Sequence, residues 1–377
     1  MSSFELGPIR PPSEAYSLLI RVTKNCPWNR CRFCHTYKGA KFELRSVEEI
    51  KQDIRTAKAI QDEVKELAWK SGSGGKLEQT AALVFNNISD DAYRNVALWL
   101  YADGRSAFLQ DADSLIVKAG ELAEVIRFLK ETFPSIERIT SYARAKTVIK
   151  KKLEELVALR EAGLSRIHIG LESGYDPLLQ YVDKGVTAAE HIAAGRKVVE
   201  SGISLSEYVI LGLGGKKWWR EHAIHTARVL NEINPDFIRF RTLNVNDRMP
   251  LHNDVNDGSF IRETDEEIVR EERLLLENLE CTSNLVSDHI TNLLQEIEGK
   301  LPEDKQRMLS TIDRFQALTP KQRTGFIIGR RIGMYTGLDD MNDRGRRVAV
   351  EQVIRRLGKD GGEVGGETVF NLMKGFI

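Results

Sequence analysis

The sequence predicts an α/β protein, a partial (β/α)6 TIM-like barrel with a helical C-terminal extension. From Tyr16 to about Arg241, short aliphatic or β-branched runs alternate with amphipathic helical stretches, as in repeated βα units around a parallel sheet. After about Val245 this alternation stops and helical periodicity takes over. Six βα units also fit an open, doubly wound sheet. In both architectures the functional groups lie at the C-terminal ends of the strands.

Six segments carry the strand pattern. They are Ser17–Thr23, Ser106–Gln110, Arg138–Tyr142, Arg166–Leu171, Leu205–Leu211 and Phe237–Thr242. The crossover helices between them have apolar residues at helical spacing, and Gly163 is placed to end one of them. These helices are Val47–Ala59, Leu122–Thr132, Lys151–Ala162, Ala188–Ser201 and Glu221–Glu232.

The connection between the first two strands is unusually long, about sixty residues from Ser46 to Arg105. It contains the glycine-rich stretch Ser71–Lys76 and an extra helix, Asp90–Tyr101. We interpret residues from about 60 to 105 as an insertion in the barrel. The predicted organisation is therefore a lead segment at 1–15, the barrel at 16–245 and a mainly helical region at 246–377.

The C-terminal region shows a further run of helical patterns. The predicted helices are Asp265–Leu279, Val286–Glu298, Glu303–Ala317, Lys321–Met334 and Arg344–Leu357. Residues 301–377 carry 14 Lys and Arg against 10 Asp and Glu, and ten of the cations are arginine. Solvated helix faces explain this excess, and contact with phosphate or nucleic acid is the alternative.

Composition narrows the function classes. With 377 residues, 41 % of them hydrophobic, the chain is large enough to bury a sizeable core. Lys+Arg and Asp+Glu both number 55, which argues against a wholly basic nucleic-acid coat. No cationic start precedes an apolar run, and no stretch of about 18 apolar residues occurs. We therefore expect a cytoplasmic protein without a membrane partner.

Three cysteines stand out because they fall within nine positions. Cys26, Cys31 and Cys34 follow the first predicted strand, and Cys281 is the fourth cysteine of the chain. Three thiolates on one short loop can hold three corners of a [4Fe–4S] cluster and leave the fourth iron open. Structural zinc requires a closed set of four ligands, and His35 directly after Cys34 converges poorly on the same ion. Structural thiols without a ligand remain the other alternative.

These residues resemble the radical S-adenosylmethionine (radical SAM) superfamily. Its usual spacing is CxxxCxΦC with an aromatic residue at Φ, and Phe33 occupies that place. Here four residues rather than three separate Cys26 from Cys31. The string around the loop looks like an incompletely characterised branch with a CxxxxCxxC loop. That branch is related to the methylthiotransferase and oxygen-independent coproporphyrinogen oxidase type of core, and the resemblance runs from about Gly7 to Asn292.

The resemblance implies a [4Fe–4S] cluster and SAM as cofactors. In the family, one electron from the reduced cluster cleaves SAM to methionine and a 5′-deoxyadenosyl radical, which abstracts hydrogen from a substrate. It also implies an anaerobic oxidoreductase or transferase, with an electron donor such as flavodoxin or ferredoxin. The protein's part is placement and protection of these groups.

The resemblance also implies SAM contacts at the strand ends. Asp111 or Asp113 would accept from the methionine ammonium, although a helix N-cap explains an aspartate there equally simply. The third strand places Tyr142 and Arg144 near the site. Arg144 would pair with the SAM carboxylate, with a surface salt bridge as its alternative. Phe33 would pack beside the adenine or serve as a core aromatic.

The next three strand ends continue this pattern. In the string GLESG, Glu172 would accept from the ribose hydroxyls or the ammonium, and Ser173 would bond polar SAM atoms. Gly212, in the string GLGG, would free the backbone where adenine stacks in relatives. Arg239 and Arg241 share a face of the sixth strand, and we expect Arg241 to reach the cofactor.

Beyond the strands, Cys281, Asp288 and His289 are candidate catalytic residues. A histidine beside a carboxylate is readily tuned near neutral pH, and Cys281 can donate a hydrogen atom. A helix cap with a satisfied histidine, and simple packing of the cysteine, are the alternatives. A second protein-ligated cluster, cobalamin held by a histidine motif, and methylthiolation are all disfavoured, because neither the cysteines nor the motif is present.

The sequence therefore predicts a radical SAM enzyme whose substrate is not encoded in any recognisable motif. Two other classes remain open. One is a modifier of RNA or protein that docks on the basic C-terminal helices. The other is a non-catalytic protein that binds a metal or cluster.

Overall fold

A computed structural model describes residues 3–70, 80–81, 83–84, 87–357 and 366–373 of the chain. Ten strands occur in these residues: β1 (Leu18–Arg21), β2 (Thr23–Lys24), β3 (Glu43–Leu44), β4 (Ser106–Gln110), β5 (Arg138–Ala143), β6 (Leu164–Glu172), β7 (Ser204–Leu211), β8 (Phe237–Thr242), β9 (Asn284–Val286) and β10 (Gly299–Lys300). All except β2 and β3, which form an antiparallel pair, belong to one sheet of order β1-β4-β5-β6-β7-β8-β9-β10. The pairs β1–β4, β4–β5, β5–β6 and β8–β9 are parallel. The predicted α/β class is confirmed.

The helices between and after the strands are as follows: α1 (Val47–Lys70), α2 (Asp91–Tyr101), α3 (Ala119–Thr132), α4 (Ala145–Lys150), α5 (Leu153–Ala162), α6 (Asp176–Tyr181), α7 (Ala188–Glu200), α8 (Gly215–Ile233), α9 (Leu251–Asn256), α10 (Asp265–Asn278), α11 (Lys305–Ala317), α12 (Pro320–Arg331), α13 (Arg344–Leu357) and α14 (Gly366–Met373). Their starts follow local chemistry. Asp90 accepts from the Tyr93 N–H, and Thr264 forms a capping box with Glu267. Gly163, at φ 124°, ends α5 as predicted.

The chain forms two compact units. The first comprises Met1–Arg30, Thr36–Gly170 and Ala193–Ser206. Its core lies between β1, β4 and the helices α1 to α3, where Trp99 meets Phe133 edge to face at 5.2 Å. The lead segment is held on β4 because the Gln110 side chain bonds the Gly7 backbone and the Ile9 carbonyl, at 2.8–3.0 Å. The predicted glycine-rich stretch Ser71–Lys76 lies outside the described residues.

The second unit comprises Cys31–His35, Leu171–Ile192 and Glu207–Ile377. Its core contains Leu213, Leu230, Phe240 and Leu275, and α8 packs against α10. None of the described helices combines the length and apolar composition that a bilayer-crossing segment needs.

The predicted helix Val286–Glu298 is wrong. Its first residue ends β9, which pairs with β8 and β10, and no helix follows before Gly299. The carbonyls in this segment bond buried arginines of α12 instead of amides one turn later. Arg330 donates to the Asn292 and Leu293 carbonyls at 3.0 and 2.9 Å, and Arg331 donates to that of Thr291 at 2.7 Å. Two of the arginines predicted as a docking surface are therefore internal supports.

Candidate functional site

The three cysteines lie on the loop between β2 and β3, and all are half-buried thiols outside any disulfide. The Asn29 N–H points at Cys26 Sγ, 3.4 Å away. A backbone donor aimed at sulfur stabilises a thiolate ligand and tunes an iron–sulfur cluster. Three thiols outside any disulfide within nine residues, with one amide directed at sulfur, are the donor types of such a cluster, and no three His, Cys, Asp or Glu side chains of the described residues already converge on one metal position. These donors do not form a closed zinc site.

The start of this loop is fixed by a buried group that we call the loop anchor: Arg21, Asn25, Tyr37 and Asp111. Asp111 is fully buried and accepts from Arg21 Nε at 3.0 Å and Nη2 at 2.7 Å. It also accepts from the Asn25 N–H at 3.1 Å and from the Tyr37 hydroxyl. Burial, then Asp111, raises the pKa of Tyr37, so its hydroxyl stays a donor. Asp111, predicted to bind SAM, is thus saturated by internal donors.

Asp113 supports the next strand end. Its carboxylate accepts from the Arg144 N–H at 3.2 Å and the Thr147 hydroxyl at 2.5 Å, at the start of α4. It makes no capping bond to the short 3-10 helix Ser114–Ile116 that follows it. Burial raises the pKa of Asp113 to about 6. Its two partners are therefore structural groups on the next βα loop.

Arg144 stands beside the cysteine loop. Its guanidinium lies 5.0 Å from the centroid of the Trp28 ring, and Arg30 lies 5.1 Å from the same centroid. Tyr142 packs edge to face on Phe108 at 5.1 Å. Arg144 thus lies next to the residue two positions after Cys26, and its bond to the SAM carboxylate stays a prediction.

The second half of the loop is held by a different set of residues. Arg32 Nη2 donates to Asp254 Oδ1 at 2.6 Å, and its backbone N–H donates to the Val182 carbonyl at 2.9 Å. Tyr181 donates to Asp254 Oδ2 at 2.5 Å, and burial raises the pKa of Tyr181 to about 12. Phe33 packs against a buried apolar cluster of Val245, Met249, Leu251 and Phe260. Phe33 is therefore at least a core aromatic.

At the end of β6, Glu172 takes a left-handed conformation, φ 62°, and forms an ion pair with Lys184 at 2.8 Å. Both side chains are about 12 % exposed, so the pair keeps limited contact with solvent. Ser173 is fully buried, and its Oγ lies 2.9 Å from His222 Nδ1. At the end of β7, the Gly212 N–H donates to Glu271 Oε1 at 2.8 Å.

At the end of β8, Arg241 belongs to an ion-pair group. Its Nη1 lies 3.0 Å from Asp288 Oδ1, and Arg239 Nη1 lies 2.9 Å from Oδ2. His289 bonds the Thr291 hydroxyl through Nδ1 at 2.6 Å. Burial, followed by the charge of Arg241, lowers the pKa of His289 to about 4, so its ring is neutral at pH 7. Cys281 is buried, 4 % exposed.

Sequence reasoning missed the residues that hold these strand ends, above all Arg21, Tyr37, His222, Asp254 and Glu271. Arg21 was the detectable one, because a charge inside an otherwise apolar predicted strand calls for a buried partner. His222 and Glu271 lie in amphipathic helical patterns that give no such signal.

The model of the family described as Radical SAM superfamily matches residues 20–227, more than half of the chain. The chain belongs to the radical SAM superfamily. It is therefore an enzyme, and the cofactors of its family are a [4Fe–4S] cluster and SAM. The match begins within β1 and ends within α8, so it contains the cysteine loop and the strand ends from β1 to β7.

Solved structures of radical SAM enzymes resemble the chain at low identity. The archaeal Elp3 of Methanocaldococcus infernus is 14 % identical, with 50 % of this chain and 49 % of that one covered and a TM-score of 0.40. The radical SAM methyltransferase TsrM of Kitasatospora setae is 13 % identical, with 90 % and 61 % covered and a TM-score of 0.44. Methylornithine synthase (PylB) is 15 % identical, with 80 % and 81 % covered and a TM-score of 0.42. The chain thus spans about half to three fifths of the first two, and the family assignment rests on the family model. No curated protein matches the chain.

Proposed function

We propose that the chain holds one [4Fe–4S] cluster on Cys26, Cys31 and Cys34 and binds SAM at the fourth iron. When bound, the cluster supplies the electron that cleaves SAM reductively and so initiates hydrogen abstraction from an organic substrate. The observation that carries the proposal is the loop itself: three reduced thiols in nine residues inside the family match, one of them met by the Asn29 N–H.

The chain's own residues would place these groups. The loop anchor fixes the residue before Cys26, and the Arg32–Asp254 pair fixes the residue after Cys31. Both supports are hydrogen-bonded ion pairs, which resist displacement when a cofactor is loaded. We infer that Asp111 serves the loop, because its acceptor positions are filled, and that it does not contact the SAM ammonium.

The residues predicted to contact SAM fall into groups according to the strand end at which each one lies. Arg144 lies beside the loop, and we propose that its guanidinium also binds the SAM carboxylate, with Tyr142 and Asp113 at the same strand end. Glu172, Ser173 and Gly212 would line the nucleoside side, with Phe33 against the adenine. Arg241 is committed to Asp288, so we propose that it orients the substrate side of the site.

The substrate would meet Asp288, His289 or Cys281. The neutral ring of His289 suits it to accept a proton rather than to donate one at pH 7. An electron donor such as flavodoxin or ferredoxin would reduce the cluster.

Anaerobic reconstitution tests the proposal. Replacing Cys26, Cys31 and Cys34 by Ala should abolish both the absorbance near ~400 nm and dithionite-dependent 5′-deoxyadenosine formation. The matched control is Cys281→Ala, which removes a cysteine outside the loop and should leave the cluster absorbance unchanged. SAM cleavage by the triple variant would contradict the proposal, and so would zinc bound in place of iron in the wild type.

A further inference from the structure

We propose that His222, Glu271 and Glu263 are positioning residues that hold the ends of β6 and β7 in the conformation that binds SAM. With Ser173 and Gly212 they form a group that we call the strand-end relay. The proposal rests on the proposed function, because it assumes that these two strand ends contact SAM. It adds His222 of α8, Glu271 of α10 and Glu263 just before α10, which lie outside every predicted site.

His222 connects the two strands through both of its ring nitrogens. Nε2 lies 3.1 Å from the Ile210 carbonyl, and a carbonyl only accepts, so Nε2 carries the hydrogen. Burial lowers the pKa of His222 to about 4, and the ring is therefore neutral at pH 7. Nδ1 then accepts from the Ser173 hydroxyl at 2.9 Å. The hydroxyl oxygen in turn accepts from the Tyr175 N–H at 3.1 Å.

Gly174, the residue after Ser173, packs against α8, the helix that contains His222. The Gly174 N–H donates to Thr226 Oγ1 at 2.8 Å. A Cβ at position 174 would lie 2.3 Å from the His225 carbonyl oxygen, so no side chain fits there. The glycine of the GLESG string is thus required by its contact with α8. This contact restricts the backbone conformation at the end of β6.

The end of β7 is held from α10. The Gly212 N–H donates to Glu271 Oε1 at 2.8 Å, and Gly212 has φ +79°. Glu263 faces Glu271, and burial raises the pKa of Glu271 well above its ordinary value and that of Glu263 to about 7. In both carboxyls Oε2 is buried and accepts from no N–H or O–H donor among the described residues. One proton shared by the two groups satisfies both.

Stability alone does not account for this arrangement. Well-packed apolar residues in place of buried polar groups are often neutral or stabilising, whereas a satisfied polar network specifies one geometry. In the relay, two buried acids and one imidazole serve to hold the Ser173 hydroxyl and the Gly212 amide in place. Those two residues are at the ends of the strands proposed to bind the cofactor.

The test uses reconstituted protein and SAM as the probe. In a Glu263→Leu/Glu271→Leu variant, the Kd for SAM should rise about tenfold, equivalent to about 1.4 kcal/mol, while cluster absorbance and the urea midpoint stay close to wild type. Glu271→Gln should restore wild-type affinity, because its amide oxygen accepts from Gly212 and its NH2 group donates to Glu263. Glu272→Gln is the matched control, a buried acid next to Glu271 on the same helix, and it should leave the Kd unchanged.

Hydrogen exchange without SAM supplies the second readout. Amides in segments 171–176 and 210–216 should exchange faster in the double-leucine variant and not in Glu271→Gln. Wild-type affinity in the double-leucine variant, or unchanged exchange in both segments, overturns the relay. If the wild type binds no SAM, the proposed function fails. If amide exchange in the two segments still changes as expected, the relay residues nevertheless hold the strand ends.

Discussion

The loop anchor of the first unit and the strand-end relay of the second use different chemistry for the same task. Each fixes backbone at the C-terminal end of a strand. The loop anchor does so with a buried ion pair, in which Arg21 meets Asp111 at 2.7 Å. The relay uses groups whose pKa values burial shifts, a histidine of lowered pKa and acids of raised pKa.

The difference predicts how each region fails. A buried ion pair that loses one partner leaves an uncompensated charge, which costs more than a lost neutral hydrogen bond. The relay contains no Arg–carboxylate ion pair and depends instead on protonation states that change with pH. The first region should therefore be sensitive to substitution and the second to pH.

The largest expected effect is that of Arg21→Met. Asp111 would stay buried without its cation, and we expect a loss of about 3–5 kcal/mol in the free energy of unfolding. Urea titration of the apoprotein measures it. The Arg21→Met/Asp111→Leu variant removes both charges and should recover most of that loss. If the single and double variants are equally unstable, the ion pair is not what holds this region.

Next to the relay on α10, Glu272 should make the stability depend on pH, because burial raises its pKa from 4.5 to about 8. A carboxyl of raised pKa contributes stability that is full below pH 4.5 and is lost as pH rises towards 8, because only the unfolded chain ionises freely in that window. The loss by pH 7 is on the order of 3 kcal/mol.

The Glu272→Gln variant isolates this contribution. Titrating groups that Glu272 does not influence, His222 among them, are the same in both proteins and cancel in the difference, whereas Glu271, whose pKa Glu272 also raises, contributes to it. We expect the unfolding free energy of the variant, relative to wild type, to increase steadily between pH 5 and pH 8. A difference that stays flat across this range would show that Glu272 is not buried as described.

Local patterns in the sequence were sufficient for most of the sheet. The predicted bounds of β4 and β8 agree with the structure residue for residue. The apolar run in the centre of β4 is typical of a parallel strand that is buried on both faces, whereas β8 was recognised from the alternation of apolar residues with Arg239 and Arg241. The cysteine loop was recognised from the spacing of its residues, and the cluster on it stays a prediction. What was predicted well is determined within a few neighbouring residues.

The supports were not predictable because their partners are distant in the chain. Arg21 and Asp111 are 90 residues apart, and Glu271 lies in an acid-rich helix that looks like a solvated face. The segment after Val286 has helical periodicity, yet its carbonyls accept hydrogen bonds from Arg330 and Arg331, about 40 residues later in the chain. Tertiary partners overrode local propensity in each case.

The smallest stability effect, and the sharpest functional one, is expected at Arg144. Its cation–π contact with Trp28 contributes about 0.5–1 kcal/mol at a partly exposed site, so Arg144→Gln should unfold close to wild type. A guanidinium bonded to the SAM carboxylate contributes more, and its loss should raise the Kd for SAM about 10- to 100-fold. Equilibrium dialysis on reconstituted protein measures this change.

Arg30→Gln is the matched control for Arg144, because Arg30 lies over the same Trp28 ring at 5.1 Å. It removes an equal charge and an equal ring contact, so a general loss of positive charge near the loop affects both variants alike. Only a hydrogen bond from Arg144 to the SAM carboxylate would make the Kd values of the two variants differ. Equal Kd values for the two variants would assign Arg144 to loop packing, and the SAM carboxylate would then need a different cation.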